Sequence, residues 1–77
     1  MEINEEKMEI ITIRDDFIKL GQALKLAGLV DSGVEAKIAV QDGQVQVNGE
    51  TDTRRGRKLT EGDVVTFRGE SFQIGKS

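Results

Sequence analysis

Residues 32–49 read SGVEAKIAVQDGQVQVNG, and within this stretch a helix signal gives way to a strand signal. Ser32 and Glu35 have the S-x-x-E spacing of a capping box, in which the serine hydroxyl accepts a hydrogen bond from the backbone amide of the glutamate. The box predicts a helix that runs from Gly33 to about Asp42.

The apolar positions of this helix and the glycine after it predict its orientation and its end. Val34 and Ile38 lie one turn apart, with Ala39 beside Ile38, so we expect these side chains to be buried. Gly43 readily adopts the left-handed conformation that ends helices, and we expect it to end this one.

The residues that follow predict strands and tight turns. Apolar and polar residues alternate from Gln44 to Val47, which is the period of a strand. Asn48-Gly49 supplies the residues that a type I′ hairpin turn prefers. Further along, the sequence predicts a second strand pair, Val64 to Phe67 and Phe72 to Ile74, joined by a type II′ turn at Gly69-Glu70.

On the amino-terminal side, the sequence predicts one strand and one more helix. The strand covers Met8 to Ile13, and either Asp15 or Asp16 is expected to cap the helix that follows, from Lys19 to Leu29. Gly28 is placed to end it. Its expected buried face has helical spacing and comprises Leu20, Ala23, Leu24 and Ala27, opposite Lys19, Gln22 and Lys25.

These elements indicate an α+β fold, with two short packed helices against a small, mostly antiparallel sheet. The chain has 77 residues and a mass of 8.5 kDa, which leaves room for one domain, expected at 9–77 behind a flexible acidic lead-in at 1–8. The acidic amino end does not match a signal peptide, and no apolar run is long enough to span a membrane, so we expect a cytoplasmic protein.

The composition removes most catalytic chemistry. The chain has no Cys, His, Tyr or Trp, which excludes zinc fingers, iron–sulfur proteins, hydrolases that depend on His or Cys, and disulfide-stapled secreted scaffolds. We therefore predict no catalytic residues, no metal site and no cofactor. The pair Asp15-Asp16 is interpreted as a helix start rather than as a catalytic or metal-binding pair.

The basic stretch Arg54-Arg55-Gly56-Arg57-Lys58 is the strongest chemical feature. The net charge is −3, but four basic side chains fall in these five residues. At physiological salt the Debye length is about 8 Å, so a ligand at this stretch senses these charges more than the distant amino-terminal acids. Arginine forks match phosphate oxygens, so the stretch predicts an anion-binding loop at the surface. The alternative is a solvated charged loop with no ligand.

The run from Ile18 to Phe67 resembles the RNA-binding domain named after ribosomal small-subunit protein S4, also called the alpha-L motif. The matching features are L-x-x-x-L on the first helix, Ser32-Gly33-x-Glu35-Ala36-Lys37, Gly43-x-Val45-x-Val47-Asn48-Gly49 and Gly62-Asp63-Val64-Val65. The run is most similar to the stand-alone bacterial YbcJ/YaaA-like subgroup. The resemblance implies an alpha-L RNA-binding fold whose two helices and following strand dock on structured RNA.

By position, the resemblance implies eight RNA-contacting residues: Lys25, Lys37, Gln41, Gln44, Arg54, Arg55, Arg57 and Lys58. Many family members carry Arg or Lys where this chain has Val34, so we expect fewer charges on that face. A patch of Arg, Lys and Gln suits the phosphates and 2′-hydroxyls of a stem or stem–loop, because A-form base edges are hidden. The implied partner of this surface is ribosomal RNA, a ribosomal particle or tRNA. We expect the protein to bind it as a monomer and not to associate with a membrane.

Two other classes stay open from the residues alone. A small β-grasp-like carrier also contains a VNGE turn and a GDVV strand, although this chain ends Gly75-Lys76-Ser77 and lacks the reactive Gly-Gly terminus of such carriers. A protein–protein adaptor would use the acidic lead-in and aliphatic patches.

Overall fold

The computed structural model describes residues 8–77, so residues 1–7 of the expected lead-in lie outside the described residues. Over that range the chain forms two helices and seven strands. In chain order these are β1 (Glu9–Ile13), β2 (Ile18–Lys19), α1 (Leu20–Leu26), α2 (Gly33–Gln41), β3 (Val45–Val47), β4 (Glu50–Thr51), β5 (Lys58–Leu59), β6 (Val64–Phe67) and β7 (Glu70–Lys76).

The strands form one five-stranded sheet and one two-stranded ribbon. The sheet has the order β1-β7-β6-β3-β4, and its pairs are antiparallel except for β1 and β7, which run parallel. In the ribbon, β2 pairs with β5 in antiparallel fashion, which ties the basic stretch to the start of α1. The expected α+β architecture is confirmed.

Helix α1 buries the face that its spacing predicts. Leu20, Ala23 and Leu24 are fully buried in the core, and Ala27 packs against it from a partly buried position. The helix ends three residues earlier than expected, at Leu26.

Helix α2 buries only one of the three residues that the sequence predicted to be buried. Ala36, Ala39 and Val40 lie in the core, whereas Val34 is 69 % exposed and Ile38 is 55 % exposed. The prediction was right for Ala39 but wrong for Val34 and Ile38, because α2 carries two apolar rows with helical spacing. The row with two alanines faces inward, since small side chains let the two helices approach closely.

The predicted cap of α2 is present. The Ser32 hydroxyl accepts a hydrogen bond from the Glu35 amide at 3.1 Å, and the Glu35 carboxylate accepts one from the Asp31 amide at 2.7 Å. The helix ends at Gln41, and Gly43 follows with a φ of +77°.

The predicted cap of α1 is absent. Its first flanking residue, Lys19, makes no side-chain capping bond, and Asp16 instead pairs with Lys76 at 2.8 Å. The strand β2 separates both aspartates from the helix, and the first amides of α1 donate instead to backbone carbonyls of residues 55 and 57.

The two hairpins have the same turn type. Asn48 and Gly49 have φ values of 53° and 87°, as a type I′ turn requires. Between β6 and β7 the register pairs Phe67 with Glu70, so the turn residues are Arg68 and Gly69, with φ values of 54° and 81°. The predicted type II′ turn at Gly69-Glu70 was wrong by one residue, because the pairing extends to Glu70.

None of the helices within residues 8–77 combines the length and the apolar character needed to cross a membrane.

Candidate nucleic-acid interface

The basic loop, defined as residues 54–58, is fixed against the start of α1. The Leu20 amide donates to the Arg57 carbonyl at 2.8 Å, and the Gly21 amide donates to the Arg55 carbonyl at 3.1 Å. The first amides of a helix have no partner within it, so this loop supplies acceptors that a capping side chain would otherwise provide. The loop backbone is therefore held in place.

A buried carboxylate holds the basic loop from its other side. Asp52 is 5 % exposed and accepts hydrogen bonds from the Arg54 amide at 2.9 Å and from the Arg54 side chain at 2.9 and 3.1 Å. It also accepts one from the Arg57 side chain at 2.7 Å. The bonds from Arg54, with those from Arg57, hold the pKa of Asp52 well below its ordinary value of 3.8, against the desolvation that burial imposes.

These contacts correct the expectation that all three loop arginines lie at the surface. The Arg57 side chain is 30 % exposed and is held by Asp52, whereas the Arg54 side chain is 71 % exposed although it too is held there. Two guanidinium groups that share one carboxylate leave a net charge of about +1. Arg55 and Lys58 remain exposed, with no acidic side chain of residues 8–77 within 4.0 Å of their charged atoms.

A shallow groove lies where α1, α2 and the basic loop meet. Its volume is about 290 Å³, and it is lined by Lys19, Gly21, Gln22, Lys25, Gly33, Ala36, Arg55 and Gly56. We call it the basic groove, because three of its lining residues are cationic and, within the described chain, none is acidic. Gly21 permits the close approach of α1 to the basic loop, since a Cβ at this position would lie 2.8 Å from Cγ of Arg55.

The structure brings two of the eight sequence-predicted site residues into the groove, namely Lys25 and Arg55. Lys37 and Gln41 are exposed on α2, in the helical row that begins at Gly33 in the groove wall. Gln44 lies beyond the helix, and its side-chain amide donates to Asp42 at 3.3 Å.

Lys58 lies beside the groove rather than in its wall. Its ammonium nitrogen is 4.7 Å from the ring centroid of Phe17. At this distance the cation is attracted to the ring face.

Sequence reasoning missed several residues of this site. Lys19 and Gln22 were on the predicted polar face of α1, so the signal for them was present in the same pattern as Lys25. Gly21 had no comparable signal, because its role depends on a loop that is distant in sequence. The only hint for Asp52 is the arginines two and five residues after it.

The chemistry of this surface is anion binding. Ammonium, guanidinium and amide groups donate hydrogen bonds to phosphate oxygens, and the guanidinium of Arg55 can do so bidentately. Among residues 8–77 there is no group of three or more acidic side chains placed to hold a metal ion.

A comparison with models of known protein families identifies the family of this chain. The model of the S4 domain matches residues 11–75. The chain therefore belongs to the S4 domain family, and its fold is that of the alpha-L motif.

Two curated relatives are similar over most of their length. RlbA of Bacillus subtilis (strain 168), whose name assigns it to ribosome maturation, is 51 % identical over 65 residues, covering 83 % of this chain and 92 % of RlbA. YbcJ of Escherichia coli (strain K12), which is named for RNA binding, is 44 % identical over 57 residues, covering 74 % of this chain and 81 % of YbcJ.

Solved structures agree with the fold. The solution structure of Escherichia coli YbcJ, described as revealing an alpha-L motif involved in RNA binding, matches with a TM-score of 0.73 and 36 % identity over 97 % of this chain and 96 % of that one. The crystal structure of ribosomal protein S4e from Thermoplasma acidophilum matches with a TM-score of 0.60 and 26 % identity, over 78 % of this chain and 32 % of that chain.

Proposed function

We propose that this protein is a non-catalytic RNA-binding protein that docks on a stem or stem–loop of ribosomal RNA through the basic groove. The observation that carries the proposal is the groove itself, in which Lys19 of β2, Lys25 of α1 and Arg55 of the basic loop converge without an acidic residue among the described lining. Phosphates bound there would gain from three cations whose charge no described carboxylate neutralises.

The remaining predicted residues extend this surface. Lys37 and Gln41 continue along α2 from the groove wall, and Lys58 adds a cation on β5. Arg54 contributes its exposed guanidinium, although it shares Asp52 with Arg57, so we assign Arg57 chiefly to holding the loop.

The choice of structured RNA follows from the shape of its helix. An A-form duplex exposes phosphates and 2′-hydroxyls across a wide, shallow minor groove, which suits a shallow surface of Lys, Arg and Gln. The name of RlbA, a ribosome maturation protein, supports ribosomal RNA or its precursors over tRNA as the bound class, and the name of YbcJ supports RNA binding in general.

Crosslinking in cells, followed by sequencing of the attached RNA, tests the proposal. The wild-type protein is compared with the double variant Lys25→Gln, Arg55→Gln and with Arg14→Gln, in which the lost cation does not line the groove. We expect ribosomal RNA to be enriched with the wild type and with Arg14→Gln, and to be lost with the double variant. Equal enrichment with all three proteins would contradict the assignment of the site.

A protein–protein adaptor is the second candidate. The observation in its favour is the exposed apolar row of α2, Val34 and Ile38. Wild-type protein that crosslinks to no RNA would favour this reading over the first.

A further inference from the structure

Phe17 differs from the other two phenylalanines of this small domain. Phe67 and Phe72 are 3 % and 1 % exposed in the core, whereas Phe17 is 39 % exposed between β1 and α1. The ammonium group of Lys58 lies 4.7 Å from its ring centroid, and this contact favours a defined position for the exposed ring. An exposed, positioned aromatic ring is a platform on which a flat ligand can stack.

The ring lines a second depression, which we call the Phe17 pocket. Its volume is about 460 Å³, within the usual range of small-ligand sites, and its lining comprises Ile13, Asp15, Phe17, Ile18, Gln22, Lys25 and Leu26. Gln22 and Lys25 also line the basic groove, so the two depressions share a wall. A ligand that spans both would place a phosphate in one and an attached group in the other.

We propose that the Phe17 pocket binds a single extrahelical nucleobase of the same RNA whose phosphates lie in the basic groove. This inference rests on the proposed function and adds to it a preference for a bulged or looped-out nucleotide. Unstacked bases of loops and bulges are the parts of RNA that proteins most often read, by stacking on aromatic side chains and by hydrogen bonds to the base edge.

The polar groups of the pocket narrow the choice of base. The carboxylate of Asp15 only accepts hydrogen bonds, so it fits a base edge that presents N–H donors. Guanine presents two neighbouring donors, at N1 and at its exocyclic amino group, which match the two oxygens of one carboxylate. Gln22 can donate to or accept from a further edge atom, and Lys25 lies where the phosphate of that nucleotide would enter.

The charges favour a nucleotide over an apolar peptide. A peptide side chain in the pocket would cover Phe17 and Leu26 but would leave Asp15 and Lys25 without partners. A nucleotide supplies an apolar face, an edge with donors and a negative charge, so it satisfies all of these groups at once.

Two hairpin RNAs with the same stem provide the test. One carries a single bulged guanosine and the other is fully paired, and the affinity of each is measured by fluorescence anisotropy at one salt concentration. We expect the wild type to bind the bulged hairpin about 10-fold more tightly, as stacking of one base on an aromatic ring implies. The ratio should fall to about 1 in Phe17→Leu and should be kept in Phe17→Tyr, which retains an aromatic ring.

Two further comparisons test whether the preference for the bulged hairpin depends on the Phe17 pocket. Ile10→Ala removes another exposed apolar side chain, from the face of β1 opposite Ile13, and should keep the ratio. Replacing the bulged guanosine by uridine, which has no exocyclic amino group, should cost the wild type affinity, and Asp15→Asn should reduce that difference.

The failure of this inference is distinguishable from the failure of the proposed function. Equal affinity of the wild type for both hairpins, or a 10-fold ratio that survives Phe17→Leu, would overturn the base pocket while leaving RNA binding intact. No measurable affinity for either hairpin would overturn both.

Discussion

The amide of Leu20 donates a 2.8 Å hydrogen bond to the carbonyl oxygen of Arg57, so the loop that carries four basic side chains also supplies the acceptor at which α1 begins. The proposed binding surface and the fold are therefore coupled at this point. Lys19 at the end of β2, Lys25 on α1 and Arg55 on the loop keep their relative positions, because the backbone of α1 is bonded to the backbone of the loop.

The variant Asp52→Asn tests how the basic loop is held. The neutral amide keeps the shape of the carboxylate but removes its charge, and its NH₂ group opposes the donors of Arg54 and Arg57. We expect the free energy of unfolding, measured by urea denaturation, to fall by about 2 kcal/mol, as for hydrogen bonds to charged groups. Asp42→Asn, which changes an exposed aspartate, should stay within about 0.5 kcal/mol of the wild type. Equal stability of all three proteins would show that Asp52 does not stabilise the loop.

The same pair of proteins gives a prediction about pH. The pKa of Asp52 is lowered in the folded state, so its contribution is fully present above its ordinary value of 3.8 and is lost as pH falls through the folded pKa. The difference in unfolding free energy between wild type and Asp52→Asn should be constant from about pH 5 to 8 and should shrink below about pH 4. A difference that grows on acidification would contradict the ion-pair account.

Gly21→Ala tests the close approach of α1 and the basic loop. The new methyl group would lie 2.8 Å from Cγ of Arg55, so the arginine side chain must shift from its position in the groove. We expect affinity for a stem–loop RNA to fall about 10-fold, the size of one lost charge-assisted contact. The helical preference of alanine, about 1 kcal/mol over glycine, should offset the strain and keep the melting temperature close to that of the wild type.

A double-variant cycle separates this effect from a general disturbance. In an Arg55→Ala background the clashing Cγ is gone, so adding Gly21→Ala should cost little further affinity. Additive losses would mean that Gly21 acts through something other than Arg55.

Local signals in the sequence predicted the turns and caps whose chemistry is contained in a few residues. Ser32 with Glu35, and Asn48 with Gly49, behave as their spacing predicts, because each motif satisfies its own backbone groups. The start of α1 was not predictable in this way, since its acceptors come from Arg55 and Arg57 far along the chain.

The prediction of the buried face of α2 failed for a different reason. Val34 and Ile38 lie one helical turn apart, and so do Ala36 and Val40. Spacing alone does not say which of these two pairs faces the core. The candidate site shows the same limit. Lys25 and Arg55 were named from the sequence, but Asp52 and Phe17 gain their roles only from the packing around them.

Val34→Lys tests whether an added cation at the start of α2, beside the basic groove, strengthens RNA binding. Val34 is 69 % exposed and follows Gly33 in the groove wall, so the substitution loses no buried contact. A cation in the first turn of α2 opposes the helix dipole and should cost about 0.5 kcal/mol of stability. We expect tighter binding to stem–loop RNA and a salt dependence steeper by about 0.8 units, the effect of one added phosphate contact. Unchanged affinity would place the RNA away from this end of α2.

The salt dependence of RNA affinity tests the central claim most directly. Five cations of the proposed surface have no ion-pair partner within residues 8–77: Lys19, Lys25, Lys37, Arg55 and Lys58. If each neutralises one phosphate of a stem–loop RNA, the logarithm of the association constant should fall with the logarithm of salt concentration with a slope of about −4, or roughly 250-fold between 50 and 200 mM.

The matched comparison is made in the double variant Lys25→Gln, Arg55→Gln, with Arg14→Gln as the control for loss of charge elsewhere. The double variant should show a slope shallower by about 1.5 units, while the control keeps the slope of the wild type. A flat salt profile for the wild type, or the same slope in the double variant, would contradict phosphate recognition by the basic groove.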